Sequence, residues 1–264
     1  MHDLKTKKLF VFDMDGTIYL GERVFPEAVS FIKRLRREGK RVLFFTNNAS
    51  HNPEFYKEKL VRLGFEPMDG EIMTSGDVTV EFLKRERLGK SVYLVGTSEL
   101  VASFEKHGIP LTNGLSGDIV VTSFDTALTY EKLFRACRLI MNGSEYLSTH
   151  PDLNCPTEDG FIPDSGAISA FVTASTGKMP RYFGKPYADT MKMICSATGI
   201  DRNDTVVIGD RLYTDIALGK RSGATAVLVL TGETQKKDLV GLTESELPDL
   251  IFNDTSEISE EAFG

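Results

Sequence analysis

Cysteine is scarce in this chain: three residues in 264, Cys137, Cys155 and Cys195. They lie far apart, are odd in number and show no metal-ligand spacing. Neither a disulfide framework nor a thiolate metal site is expected, and a reducing cytosol suits the chain. No apolar run approaches the roughly 20 residues of a membrane span. The start, Met1 to Lys8, is polar and the apolar stretch behind it is too short for a signal peptide, so a cytoplasmic protein without a membrane partner is expected. Positive charge is also in deficit, with 31 Lys and Arg against 38 Asp and Glu and a formal charge of −7. That balance speaks against nucleic acid as a partner while leaving room for a local basic pocket that takes a small anion. Repeats and low-complexity tracts are missing too. What remains is 41% hydrophobic and 26% charged, ordinary for one large or two modest α/β domains.

The most informative segment is Leu9-Phe10-Val11-Phe12 followed by Asp13-Met14-Asp15-Gly16-Thr17. Four apolar residues in a row read as a strand buried on both faces, as in a parallel sheet. Just past its carboxyl end, where open α/β sheets gather their chemistry, come two carboxylates one residue apart. Their repulsion asks for a cation, most simply a hard divalent ion with oxygen ligands. Taken alone, the segment reads equally well as an acidic strand-to-turn junction.

Strand-like and helix-like stretches alternate through the rest, the pattern of a parallel α/β sheet. Pro26-Glu27-Ala28 opens a helix, Arg41 to Phe45 is a buried strand running into Thr46-Asn47-Asn48, and Pro53 starts a helix that closes at Gly64. Ile72 to Thr74 predicts a short strand reaching a hinge at Ser75-Gly76. Strands at Val92–Val95, Ile119–Val121 and Tyr146-Leu147 then alternate with helices over Leu100–His107 and Tyr130–Met141. The stretch from Leu153 to Asp164 is rich in Pro, Asp, Asn and Gly, which predicts a long ordered loop of the kind used for binding. A helix from Ala167 to Ala174 follows, then one over Thr190–Thr198, a strand over Asp204–Gly209 meeting Asp210, a helix over Thr214–Arg221 and a buried strand over Ala224–Leu230. The acidic tail from Asn253 onward is expected to be marginal in order. The expected organisation is a core made of residues 1–74 and 179–264, with residues 75–178 inserted as a second domain.

Three of these strands stop at groups whose chemistry is compatible: Asp13 and Asp15, then Thr46 and Asn47, then Asp210. Parallel strands would gather them along one sheet edge. Gly184-Lys185-Pro186 adds an ammonium between a permissive and a rigid residue. Carboxylates suit Mg²⁺, and hydroxyl, amide and ammonium donors suit phosphate oxygens. Singly, Thr46 and Asn47 read as a turn or helix cap, Lys185 as a surface charge and Asp210 as a turn residue.

Together, Asp13-Met14-Asp15-Gly16-Thr17, Thr46-Asn47-Asn48, Gly184-Lys185-Pro186 and Gly209-Asp210-Arg211-Leu212-Tyr213-Thr214-Asp215 resemble the ordered motifs of the haloacid dehalogenase superfamily, and within it the NagD-like phosphatases. The resemblance implies a Rossmann-like, doubly wound parallel-sheet core with an inserted α/β cap, and a phosphatase of small phosphomonoesters. Sugar phosphates, nucleoside monophosphates, phosphoglycolate and p-nitrophenyl phosphate fall in that class. It implies Asp13 as nucleophile forming an aspartyl-phosphate and Asp15 as general acid and base. Asp13, Asp210 and the backbone carbonyl of Asp15 would hold Mg²⁺, while Thr46, Asn47 and Lys185 hold phosphoryl oxygens. Asp215 would support Lys185 or a metal-bound water.

The cap of the resemblance would set specificity and is compatible with homodimers formed through it. Thr149-His150-Pro151-Asp152 and Pro163-Asp164-Ser165-Gly166 resemble its substrate-facing segment, although His150 stands where many relatives carry Asn and Asp164 replaces a more usual Gly. His150, Asp152, Asn154 and Asp164 are thus candidate contacts to a polar leaving group, against the alternative of a set of well-ordered turns. Two rivals to the enzyme are a receiver-type signalling domain with a phospho-acceptor Asp and a noncatalytic relative of the same fold. The inserted domain and the second carboxylate disfavour the first, and the intact acidic set disfavours the second.

Overall fold

The computed structural model describes residues 3–157 and 160–264. Two compact units emerge: the chain up to Thr46 joins Glu54–Met73 and Lys185–Gly264 in the first, and Asn47–Pro53 joins Thr74–Gly184 in the second. In chain order come β1 (Leu9–Phe12), a small hairpin of β2 (Tyr19–Leu20) and β3 (Arg23–Val24), α1 (Pro26–Arg37), β4 (Arg41–Thr46), α2 (Pro53–Arg62) and β5 (Ile72–Thr74). Next are α3 (Ser75–Glu86), β6 (Val92–Val95), α4 (Ser98–Lys106), β7 (Ile119–Thr122), α5 (Tyr130–Met141) and β8 (Glu145–Ser148). A hairpin of β9 (Asn154–Thr157) and β10 (Gly160–Pro163), α6 (Ser165–Thr176) and β11 (Arg181–Tyr182) complete the middle of the chain. The last stretch holds α7 (Ala188–Thr198), β12 (Thr205–Gly209), a π-helical turn over Leu212–Ile216, α8 (Ala217–Ser222), β13 (Thr225–Val229), β14 (Leu250–Phe252) and α9 (Thr255–Phe263).

The first unit is built on a six-stranded sheet in the order β14-β13-β12-β1-β4-β5. The strand met first in the chain therefore lies inside the sheet, paired in parallel with β12 on one side and β4 on the other. Its four apolar residues are all buried, as strands covered on both faces must be. Pro26 occupies the first turn of α1, where its missing N–H costs nothing, and Ala28, Phe31, Ile32 and Leu35 form the buried stripe of that helix. Phe31 meets Phe12 edge-on, with ring centroids 5.8 Å apart.

The acidic tail departs from expectation. It forms α9, whose start is capped by Asp254 accepting from the Ser256 amide, and Ile258 and Ala262 are buried in the same core as α1. Two apolar residues four apart lie on one helix face, while Glu260 and Glu261 lie exposed on the other.

The second unit carries a parallel sheet in the order β11-β8-β7-β6. Leu133, Ala136, Cys137 and Ile140 of α5 pack with Ile168 and Val172 of α6 on Val95 and Val120. Ser75-Gly76, expected as a hinge, form the first turn of α3, where Thr74 and Asp77 cap each other reciprocally, just past the point at which the chain leaves the first unit. The supposed loop from Leu153 to Asp164 contains the antiparallel hairpin β9–β10, with Cys155 opposite Ile162. Glu158 and Asp159 of that stretch lie outside the described residues. The helix expected over Thr214–Arg221 is split into the π-helical turn and α8. The expected class, a doubly wound parallel α/β core interrupted by an inserted α/β segment, is the one adopted. Among the described residues no helix is long and apolar enough to cross a membrane.

Candidate active site

The register of β1 sets the site in the first unit. Phe12 lies level with Ile208 of β12 and Phe44 of β4, and the Asp13 amide still donates to Ile208 O at 2.9 Å. The Asp13 side chain therefore leaves the sheet at the carboxyl ends of the strands, where the strand order reverses. Asp210 follows β12 by one residue, and Asp215 comes from the π-helical turn, a distortion that often marks functional sites. One carboxylate oxygen from each of Asp13, Asp210 and Asp215 lies within 4.8 Å of the others. Lys185 Nζ pairs with Asp13 Oδ1, with Asp215 Oδ1 at 2.7 Å and with the Phe45 carbonyl at 3.5 Å.

Glycine makes this crowding feasible. A Cβ on Gly209 would collide with the Asp215 carboxylate, and one on Gly16, whose φ is +88°, would collide with Asp210. Thr17 Oγ1 donates to Asp210 Oδ1 at 3.3 Å, and Thr214 Oγ1 to Asp215 Oδ2 at 3.1 Å.

Charge in the cluster is unbalanced. Burial pushes Asp13 from 3.8 up to about 7, with Lys185 opposing and Asp215 and Asp210 adding to the rise. Burial and then Asp215 push Asp210 up to about 6. Burial also works against the Lys185 ammonium, but Asp13 and Asp215 outweigh it and raise its pKa, so it stays charged. Lys185 and Arg211 face the half-buried Asp13 and the buried Asp210 and Asp215, with Glu233 also drawing on Arg211, so positive charge is in deficit, and the donors are hard oxygens. That set fits Mg²⁺.

The profile of the haloacid dehalogenase-like hydrolases matches residues 10–110, and a second profile, of HAD-hydrolase-like proteins, matches residues 182–258. An acid sugar phosphatase of Staphylococcus saprophyticus is 34% identical over 258 residues, covering 98% of this chain and 99% of that protein. The 5'-nucleotidase YutF of Bacillus subtilis is 33% identical over 89% of this chain and 92% of its own length. The crystal structure of a 4-nitrophenylphosphatase from Thermotoga maritima superposes with a TM-score of 0.92 at 39% identity, covering 99% of this chain and all of that one. This chain is a haloacid dehalogenase-like hydrolase. Within that family it belongs to the NagD-like branch.

In this hydrolase the remaining candidates fall into two groups. Asp15 is exposed, and its backbone bridges to Tyr19 of β2. Thr46 ends β4 in the first unit. Asn47 opens the second unit, where its Nδ2 donates to Asp152 Oδ2 at 3.1 Å. His150 is fully buried there. Its Nε2 lies 2.8 Å from Asp164 Oδ1, and its Nδ1 lies 2.9 Å from Thr149 Oγ1 and 3.3 Å from Ser75 Oγ. Burial works against charging this imidazole, but Asp164 outweighs it and raises the pKa. Asp164 also caps α6 by accepting from the Ser165 amide at 2.6 Å. Asn154 is exposed and Asp152 half-buried.

Some of the hydrolase's site was missed in the sequence. Thr17, although inside the first motif, carries no expected task, and neither does the segment Thr231-Gly232-Glu233-Thr234. Yet it begins just past β13, a fourth buried strand, and its Glu233 amide donates to Asp210 Oδ2 at 2.7 Å. The rule that chemistry gathers at strand ends, applied to this strand as to the other three, would have found it.

Proposed function

We infer that this hydrolase is a Mg²⁺-dependent phosphatase of small phosphomonoesters that works through an aspartyl-phosphate. The observation that carries this is Asp13, placed at the end of an interior strand and held by Lys185 beside Asp210 and Asp215. Asp13 attacks phosphorus, forming its bond to the phosphoryl group as the bond to the ester oxygen breaks. Asp15 gives its proton to the departing alkoxide, and its exposure lets it then take a proton from the water that cleaves the aspartyl-phosphate. Lys185, Thr46 and Asn47 bind the phosphoryl oxygens, and Asp215 orients Lys185. Asp13, Asp210 and the carbonyl of Asp15 would hold the cation, which would offset the charge of a phosphate dianion brought among carboxylates.

The relatives' names cover a sugar phosphatase, a nucleotidase and an aryl phosphatase, which supports a phosphomonoester substrate and leaves the leaving group to the inserted segment. We assign residues 1–74 and 179–264 to catalysis and residues 75–178 to a specificity cap. Within that cap, exposed Asn154 and half-buried Asp152 contact the leaving group, while buried His150 and Asp164 hold its shape. Exposed Leu153 and Phe161 favour self-association through the same unit, which sedimentation of Phe161→Ser against the parent chain would test. Three free thiols and the acidic balance favour the cytoplasm and a metabolite, not nucleic acid, as partner.

Phosphate release from a panel of sugar, nucleoside and aryl phosphates, with Mg²⁺ or with chelator, tests the activity. Turnover should need Mg²⁺ and vanish in Asp13→Asn. A stable phosphoprotein without turnover, or full activity in Asp13→Asn, would refute it.

A further inference from the structure

Asp210 is clamped by the segment that follows β13. Thr231 Oγ1 donates to Gly16 O at 2.6 Å, the Glu233 amide to Asp210 Oδ2 at 2.7 Å and the Thr234 amide to Asp210 O at 3.2 Å. Gly232 lies so close that a Cβ there would collide with the Asp210 carboxylate, so the strap fits only with glycine at that point. The Glu233 side chain then turns back on the other side. Its Oε2 pairs with Arg211 Nε at 3.0 Å and accepts from Tyr213 Oη at 3.1 Å. Arg211 is the chain neighbour of Asp210. A closed ring results, running from the Asp210 carboxylate through the Glu233 amide and side chain to Arg211 and back to Asp210.

We propose that Glu233 is a positioning residue for the metal site: by tying the strap to Arg211 and Tyr213, it holds its own amide against Asp210 and fixes that carboxylate's orientation. This rests on Asp210 being a Mg²⁺ ligand. The Arg211–Glu233 pair is partly exposed, with side chains 32% and 51% accessible, so such a pair adds little to folding. Groups that orient a metal ligand, by contrast, typically change metal affinity by about 10–100-fold. A role confined to stability and a role in orientation therefore predict different readouts.

Calorimetric titration of Mg²⁺ into metal-stripped protein separates them. The chains compared are the parent, Glu233→Ala and Glu233→Gln, each with its metal-free melting temperature. Glu233→Ala should bind Mg²⁺ about 10-fold more weakly with an unchanged metal-free melting temperature. Glu233→Gln keeps the acceptor for Tyr213 Oη and a polar group beside Arg211 but loses the charge, and should recover most of the affinity. At saturating Mg²⁺ the KM for substrate should match the parent in both. Parent-like binding by Glu233→Ala overturns the proposal, and so does a Gln variant as weak as Ala, since charge alone would then be the cause. A lowered metal-free melting temperature with affinity intact would mark Glu233 as merely structural. Failure of the parent chain itself to bind Mg²⁺ would instead sink the metal assignment on which the proposal depends.

Discussion

Lys185 shows how one side chain holds the site together. Its ammonium is almost fully buried against Asp13 and Asp215, so its removal leaves those two carboxylates facing each other without the cation that pairs with both. Metal-free Lys185→Met should lose about 3–5 kcal/mol in urea unfolding at neutral or higher pH, and Asp215→Asn in the same chain should restore part of it. No loss, or no recovery in the double variant, would mean that the three groups are not coupled. Asp15 makes the opposite case, because its exposed carboxyl does its work on the leaving group. Asp15→Asn should slow sugar phosphates far more than p-nitrophenyl phosphate, whose phenolate departs without a proton; equal slowing would count against the acid role. Asp13, Lys185 and Asp210, which the structure gathers into one cluster, were legible in the sequence because each sits next to a strand end or a glycine that announces it, whereas Asp215, inside the π-helical turn, was signalled only by the resemblance. The Asn47–Asp152 and His150–Asp164 pairings were not legible, because partners 105 and 14 residues apart meet only through the packing of the second unit.

At the level of elements, the longer parallel strands declared themselves through unbroken apolar runs, while the short edge strands β14 and β11, also parallel, were not expected, and the other errors fell where polar residues hide a short apolar signal. The acidic tail is the plainest instance. Glu257, Glu260 and Glu261 dominate its composition, yet Ile258 and Ala262 repeat at helical spacing and are buried against the core of the first unit. Ile258→Ala should therefore cost about 2–5 kcal/mol, as deletions in a packed core do, whereas Glu261→Ala should be close to neutral. Denaturant titration of the two variants checks this; equal and small effects would mean that the helix is not part of the core. The start of α3 was missed for a similar reason. Thr74-Ser75-Gly76-Asp77 has the spacing of a reciprocal cap, but Gly76 drew attention to a hinge. The hairpin β9–β10 was hidden by loop-forming Pro, Asp and Asn, although Cys155 and Ile162 mark a paired position within it.

For the whole molecule, the site's unbalanced charge links folding, pH and metal. Asp13 and Asp210 have pKa values raised from 3.8 to about 7 and about 6 in the folded, metal-free protein. In the unfolded chain both carboxyls titrate near their ordinary value. Between roughly pH 4 and pH 7 the folded state thus holds protons that the unfolded state has released, and metal-free stability falls as pH rises through that window. Below it both states are protonated and the cost disappears; above it both are ionised and the cost is complete. A bound Mg²⁺ takes the place of those protons, so the increment it adds to the melting temperature should grow from about pH 5 to about pH 8, where few protons remain to be displaced. Taking the increment at each pH, not the melting temperature itself, cancels every carboxylate elsewhere that titrates without sensing the metal. Asp13→Asn removes one of the two linked groups and should flatten the increment's dependence on pH. An increment that is equal at both pH values in the parent chain would show that the acidic cluster neither gathers protons in the metal-free protein nor exchanges them for a cation.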